Sequence, residues 1–130
     1  MSNIFNCSVD IMREINNQIE INKSLQKTYE KFGDTTNANR CWDANLALLR
    51  LSDKIDNITL QYDISVTDCL ESNSFIWTLQ REIGKMLDSI ISWGYHYVMR
   101  DSKKLKAQYR ELEYMYEYVN IAAKKHNVYV

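Results

Sequence analysis

Proline is absent from these 130 residues, and glycine occurs only at Gly33, Gly84 and Gly94. Sheet-rich folds need frequent tight turns, and these two residues supply most of the turn chemistry, so their scarcity argues against all-β and doubly wound architectures. An excess of charge is missing too. The formal net charge is −1 and the isoelectric point about 6.1, which gives no bulk attraction to nucleic acid or to an anionic membrane. No window long enough to span a bilayer is free of charge, and Met-Ser-Asn-Ile-Phe-Asn at the start has neither a basic nor an apolar signal region. The expectation is a cytoplasmic protein with no membrane partner. Richness in Asn, Lys, Ile and Tyr fits an AT-rich genome, compatible with a phage or virus, in which case the location is the host cytoplasm or the virion.

The ingredients of catalysis are equally sparse. His96 and His126 are the only histidines; no Glu-x-x-His occurs, and neither has ligands at a repeated i, i+3 or i+4 spacing. Phosphate-binding glycine loops and Gly-x-Ser-x-Gly are missing. Cys7, Cys41 and Cys69 are odd in number and contain no Cys-x-x-Cys, which reads as free thiols in a reducing compartment. Carboxylates four apart, such as Asp10 and Glu14 or Glu113 and Glu117, read as solvated helix faces, because no second helix offers matching ligands. The expectation is a non-enzyme with no catalytic, cofactor-binding or metal-binding residues and no cofactor.

What the chain does have is helical periodicity. Ile76, Leu79, Ile83, Met86, Ile90, Trp93 and Tyr97 recur in steps of three and four, and Leu87, Ile91, Gly94 and Val98 widen that stripe, as in a helix with neighbours on more than one side. Cys41, Ala44, Leu48, Leu51, Ile55, Ile58 and Tyr62 form a second, wholly regular row, with Trp42 and Leu49 flanking it. Asn6 or Ser8 can cap a first helix carrying Ile11, Ile15, Ile19, Leu25, Tyr29 and Phe32. Asn22, in the middle, could be a buried residue that sets register, but is read as solvated at the edge of the stripe, since a buried amide needs partners. Gly33 supplies a stop and Asp34, Thr35 or Thr36 the next cap. A last helix carries Leu105, Tyr109, Leu112, Tyr116, Val119, Ala123 and His126, with Asn127 as terminator. The pattern predicts an all-α antiparallel four-helix bundle over 8–32, 36–62, 67–99 and 102–126, one domain spanning 1–130. Should the weak break at Arg100, Asp101 and Ser102 fail, the last two helices become one long continuous rod.

Two features bear on function. Nine tyrosines are present, four of them within residues 109–118. Tyr114 and Tyr118 lie one turn apart, off the apolar stripe, with Met115 between them, and exposed aromatic and Met side chains favour protein interfaces. The second feature is the basic run Arg100, Lys103, Lys104, Lys106 and Arg110, which lies in a C-terminal quarter (99–130) of net charge +3. Such a run could contact phosphates while nearby tyrosines stack on bases, although acids follow it at once. The function expected is protein binding, either as an oligomeric subunit of a larger assembly or as an inhibitor or adaptor docking on a partner. The alternative is a nucleic-acid-binding module using the basic run.

Overall fold

The computed structural model describes residues 3–62, 72–96 and 102–128, and among these every regular element is a helix. They are α1 (Asn3–Lys31), α2 (Thr35–Tyr62), α3 (Ser72–His96) and α4 (Ser102–Lys125). The expected start near Thr67, Cys69, the stripe residues Tyr97 and Val98, and Arg100 lie outside the described residues.

α1 begins earlier than its cap residues implied. Ile4 and Cys7 continue the three-four row of Ile11, Ile15 and Ile19 toward the N-terminus, and all five are buried. Ser8 therefore sits inside the helix, its hydroxyl donating back to the Phe5 carbonyl at 2.7 Å, as serine does within a helix. At the other end burial stops. Asn22 is the last buried residue of α1, and Leu25 and Phe32, expected on the stripe, are exposed, Phe32 by 78%.

The turn between α1 and α2 is fully determined by local chemistry. Gly33 adopts φ +75°, the left-handed conformation that closes a helix without Cβ strain. Its N–H donates to the Glu30 carbonyl at 3.1 Å and that of Asp34 to the Tyr29 carbonyl at 2.8 Å, the paired bonds of a Schellman ending. Asp34 then turns donor into acceptor: its Oδ1 takes the Asn37 N–H at 3.2 Å and caps α2. α4 ends in the same way, with Asn127 at φ 57°, its N–H on Lys124, and the Val128 N–H on the Ala123 carbonyl at 2.9 Å. Val128 is buried in the core, the apolar contact that accompanies this motif.

One hydrophobic core draws on all four helices: Ile11 and Ile15, Leu48, Leu51 and Ile55, Phe75, Leu79 and Ile83, Leu112, Met115 and Val119, with their neighbours. α2 and α4 form its middle, each packed on the other three helices, whereas α1 and α3 hardly meet. Gln80 of α3 donates to Asn120 of α4, so these helices pack side by side and the single-rod arrangement is excluded. The row on α2 is buried as its periodicity predicts, from Cys41 to Ile58. α4 departs from expectation by one position. Met115 is fully buried and Tyr116 is exposed, because the row runs Leu112, Met115, Val119, Ala122, and a step of three from Leu112 reaches methionine where a step of four reaches tyrosine.

Candidate functional site

The side chains richest in chemistry gather where α1 meets α4. Asp10 and Glu14, one turn apart on α1, face Tyr118 and Tyr114, one turn apart on α4. The Tyr114 hydroxyl donates to Glu14 Oε1 and the Tyr118 hydroxyl to Asp10 Oδ1, both at 2.7 Å. The two rings stack with centroids 6.3 Å apart and planes 27° from parallel. Asp10 also receives His126 Nε2–H on Oδ2 at 2.9 Å, a carboxylate being able only to accept, and Lys125 Nζ stands 3.4 Å from the same oxygen. Gln18 adds a bond to Glu14 at 3.1 Å. Asp10 and Glu14, read from sequence as solvated, are thus bonded across the helix interface, whereas Glu113 and Glu117 are exposed on α4 as that reading expects.

This arrangement holds protons in place. Burial pushes the Asp10 carboxyl up, but the hydrogen bonds from Tyr118, His126 and Lys125 together outweigh it and leave Asp10 below the usual carboxylate range. The bond to Glu14, with partial burial, pushes Tyr114 up to about 12, and burial plus the bond to Asp10 pushes Tyr118 higher still. Burial, with the nearby Asp10 charge, pushes the Cys7 thiol up to about 12. A thiol so far from ionising is not a nucleophile at neutral pH. The cluster joins two helices; it does not assemble a base beside an activated nucleophile.

A second polar group lies deeper, among α1, α2 and α4. Asn22 Nδ2 donates to Asn45 Oδ1 at 3.0 Å and to Glu111 Oε1 at 3.2 Å, and Asn45 Nδ2 donates to the Ile19 carbonyl at 3.2 Å. Asn22 is only 7% exposed, which corrects its reading as a solvated edge residue. Its hydrogen-bonding partners, from helices distant in sequence, are what make burial of the amide tolerable.

The residues expected at a protein interface divide. Met115 belongs to the core and presents nothing to a partner, Tyr118 is half-buried with its hydroxyl taken, and Tyr114 is exposed although its hydroxyl too is bonded. Of the basic run, Lys106 and Arg110 are exposed one turn apart on α4, and Lys103 and Lys104 fall in its first turn. Sequence reasoning missed a row on α2. Trp42, Leu49 and Leu60 are exposed by 58, 51 and 79%. Eighteen residues separate Trp42 from Leu60, about five full turns, so both point the same way, and Leu49 deviates by only about 20°. Leu51 lies nine residues from Trp42 and nine from Leu60, so the row faces away from the core. The spacing is present in the sequence, but Trp42 and Leu49 also fit the margin of the buried stripe, which hides the row.

Among the described residues no group of three or more His, Cys, Asp or Glu side chains could hold a metal ion, and no helix is long and apolar enough to cross a membrane. Compared with known proteins, the chain matches no family model, no curated protein and no solved structure.

Proposed function

We propose that this chain is a non-enzymatic protein-binding module, an antiparallel helical bundle that uses the outward face of α2 to associate with a protein, in the first place with further copies of itself in a larger assembly. The bundle geometry is supported by the bonded pairs along α1 and α4: Asp10 with Tyr118, Glu14 with Tyr114 and Asn22 with Glu111, rising numbers on one helix meeting falling numbers on the other. The observation that carries the function is the second apolar row on α2. A helix that buries one face needs no large apolar side chains on the other, and Trp42, Leu49 and Leu60 there are the residue types that interfaces desolvate. Phe32, at the adjoining turn, adds a fourth exposed side chain.

The test is absolute mass by light scattering on a sizing column, with the 260/280 nm ratio read across the peak. A discrete salt-resistant oligomer that falls to monomer in Trp42→Glu plus Leu49→Lys, with helicity kept, supports the reading; an oligomer unchanged by those substitutions sinks the α2 face. A monomer at every concentration removes self-assembly and leaves the docking adaptor or inhibitor. Co-eluting nucleic acid released by salt, and lost on reversing Lys103, Lys104 and Lys106 to Glu, would replace the reading with phosphate binding through residues 100–110.

A further inference from the structure

Where the buried part of α1 ends, three helices are tied by side-chain amides and one carboxyl. Asn22 of α1 spends its Nδ2 on both Asn45 of α2 and Glu111 of α4, and Asn45 reaches back to the Ile19 carbonyl. Beyond Asn22 the rest of α1 has no buried residue, so this bridge stands at the limit of the packed core. Glu111 is the unusual member. Its Oε1 has one donor, while Oε2 is sealed from solvent and has no hydrogen-bond partner.

The surroundings of that carboxyl contain little to balance a negative charge. From α1 it meets the neutral Asn22; from α2 it faces the Cys41 thiol; on α4 itself Tyr114 is near, with its hydroxyl already given to Glu14 of α1. Arg40 of α2 gives its Nη1 to Asn37 and makes no ion pair with Glu111, although its Nε is also buried without a hydrogen-bond partner, and the neighbouring Arg110 is exposed. α3 lies elsewhere: Asn120, which receives its Gln80, is nine residues from Glu111 and so on the opposite face of α4. An ionised oxygen enclosed without a donor bears an unrecovered desolvation penalty, and a neutral carboxyl bears much less.

We propose that the Asn22–Asn45–Glu111 bridge is a proton-operated lock on the register of α1, α2 and α4, whose closed, buried form is favoured when Glu111 is neutral and opposed by the desolvation cost of its enclosed Oε2 when Glu111 is ionised. Burial pushes the Glu111 carboxyl above its ordinary 4.5, against the weaker pull of the Asn22 bond. The sign follows from linkage: a group that holds its proton more tightly when folded adds stability that is fully present below 4.5 and is lost as pH rises through the higher folded value. Asp10 and Glu82, both held below the usual carboxylate range, act in the opposite sense, so the lock is visible only as a difference between proteins that share them.

The experiment compares urea unfolding of the full chain with that of Glu111→Gln between about pH 4 and about pH 8. The expected result is that the variant's advantage over the parent grows with rising pH and levels off once Glu111 is fully ionised; a difference that stays constant, or moves against the variant as pH rises, overturns the lock. The unmodified protein supplies an independent test that does not depend on a variant folding. The Glu111 carboxyl ¹³C signal should titrate above 4.5, and the side-chain amide signals of Asn22 and Asn45 should shift with the same midpoint. A carboxyl midpoint at or below 4.5, or amide signals that do not follow it, refutes the proposal.

Discussion

Removing one oxygen atom from Tyr118 and one from Tyr114 should have unequal effects, although both hydroxyls donate at 2.7 Å to a carboxylate on α1. Asp10 is buried and Tyr118 half-buried, so in Tyr118→Phe an enclosed anion loses one of its three donors. A hydrogen bond to a charged group contributes about 1.5–3 kcal/mol, and since His126 and Lys125 still serve Asp10, the lower end, about 1.5 kcal/mol, is expected. The Tyr114 bond is exposed, and water can replace the lost donor on Glu14. Tyr114→Phe should therefore cost only about 0.5 kcal/mol. Urea unfolding at neutral pH measures both. The Tyr118 loss should also fade in acid: Asp10 titrates below its ordinary 3.8 when folded, so its bonds stabilise the protein above 3.8 and stop doing so as pH falls through the folded value. Equal losses for the two variants, or a Tyr118 loss that persists after Asp10 is protonated, would refute the assignment of the difference to burial of the anion.

Gly84 lies inside α3, and a Cβ placed there would meet nothing within 4 Å. Gly84→Ala should accordingly raise stability by about 0.5–1 kcal/mol, whereas Gly33→Ala, forced to φ +75°, should lower it by about 1 kcal/mol or more; thermal unfolding reads both signs. Leu51→Ala, at a position with no exposure, should cost about 2–5 kcal/mol by the same measurement, and a loss below about 1 kcal/mol would mean that the site collapses or is not core. Cys7 and Cys41 should resist a thiol reagent in the native protein and react on unfolding, since both are buried with thiols pushed upward; rapid native labelling of either, read by peptide mass, would contradict that.

Much of the fold was legible because it is local. The α2 row needs only a periodicity of three and four, and the stops at Gly33 and Asn127 follow from the backbone conformation that those residues tolerate. The errors arose where tertiary partners decide. Asn22 looked like an edge residue because its donors' targets lie 23 and 89 positions away, and no pattern within α1 reports them. Met115 and Tyr116 are adjacent, and either fits a three-four row from Leu112; the choice depends on which way α4 is rotated by the helices against it. The pairing of Asp10 and Glu14 with tyrosines 108 and 100 positions on is likewise a product of helix placement.

The turn at Gly33 and Asp34 has a consequence for the order in which the chain assembles. Asp34 contributes its amide to the end of α1 and its carboxylate to the start of α2, so one residue completes both helix termini. Closing so short a connection loses little chain entropy, whereas the contacts between α1 and α4 close loops of about a hundred residues. Contact between α1 and α2 is thus among those that the chain can form cheaply, and Leu48 and Leu51, which belong to the shared core, would give α4 an apolar surface to pack on. Asp34→Ala should then slow folding more than it speeds unfolding, and Tyr118→Phe should do the reverse.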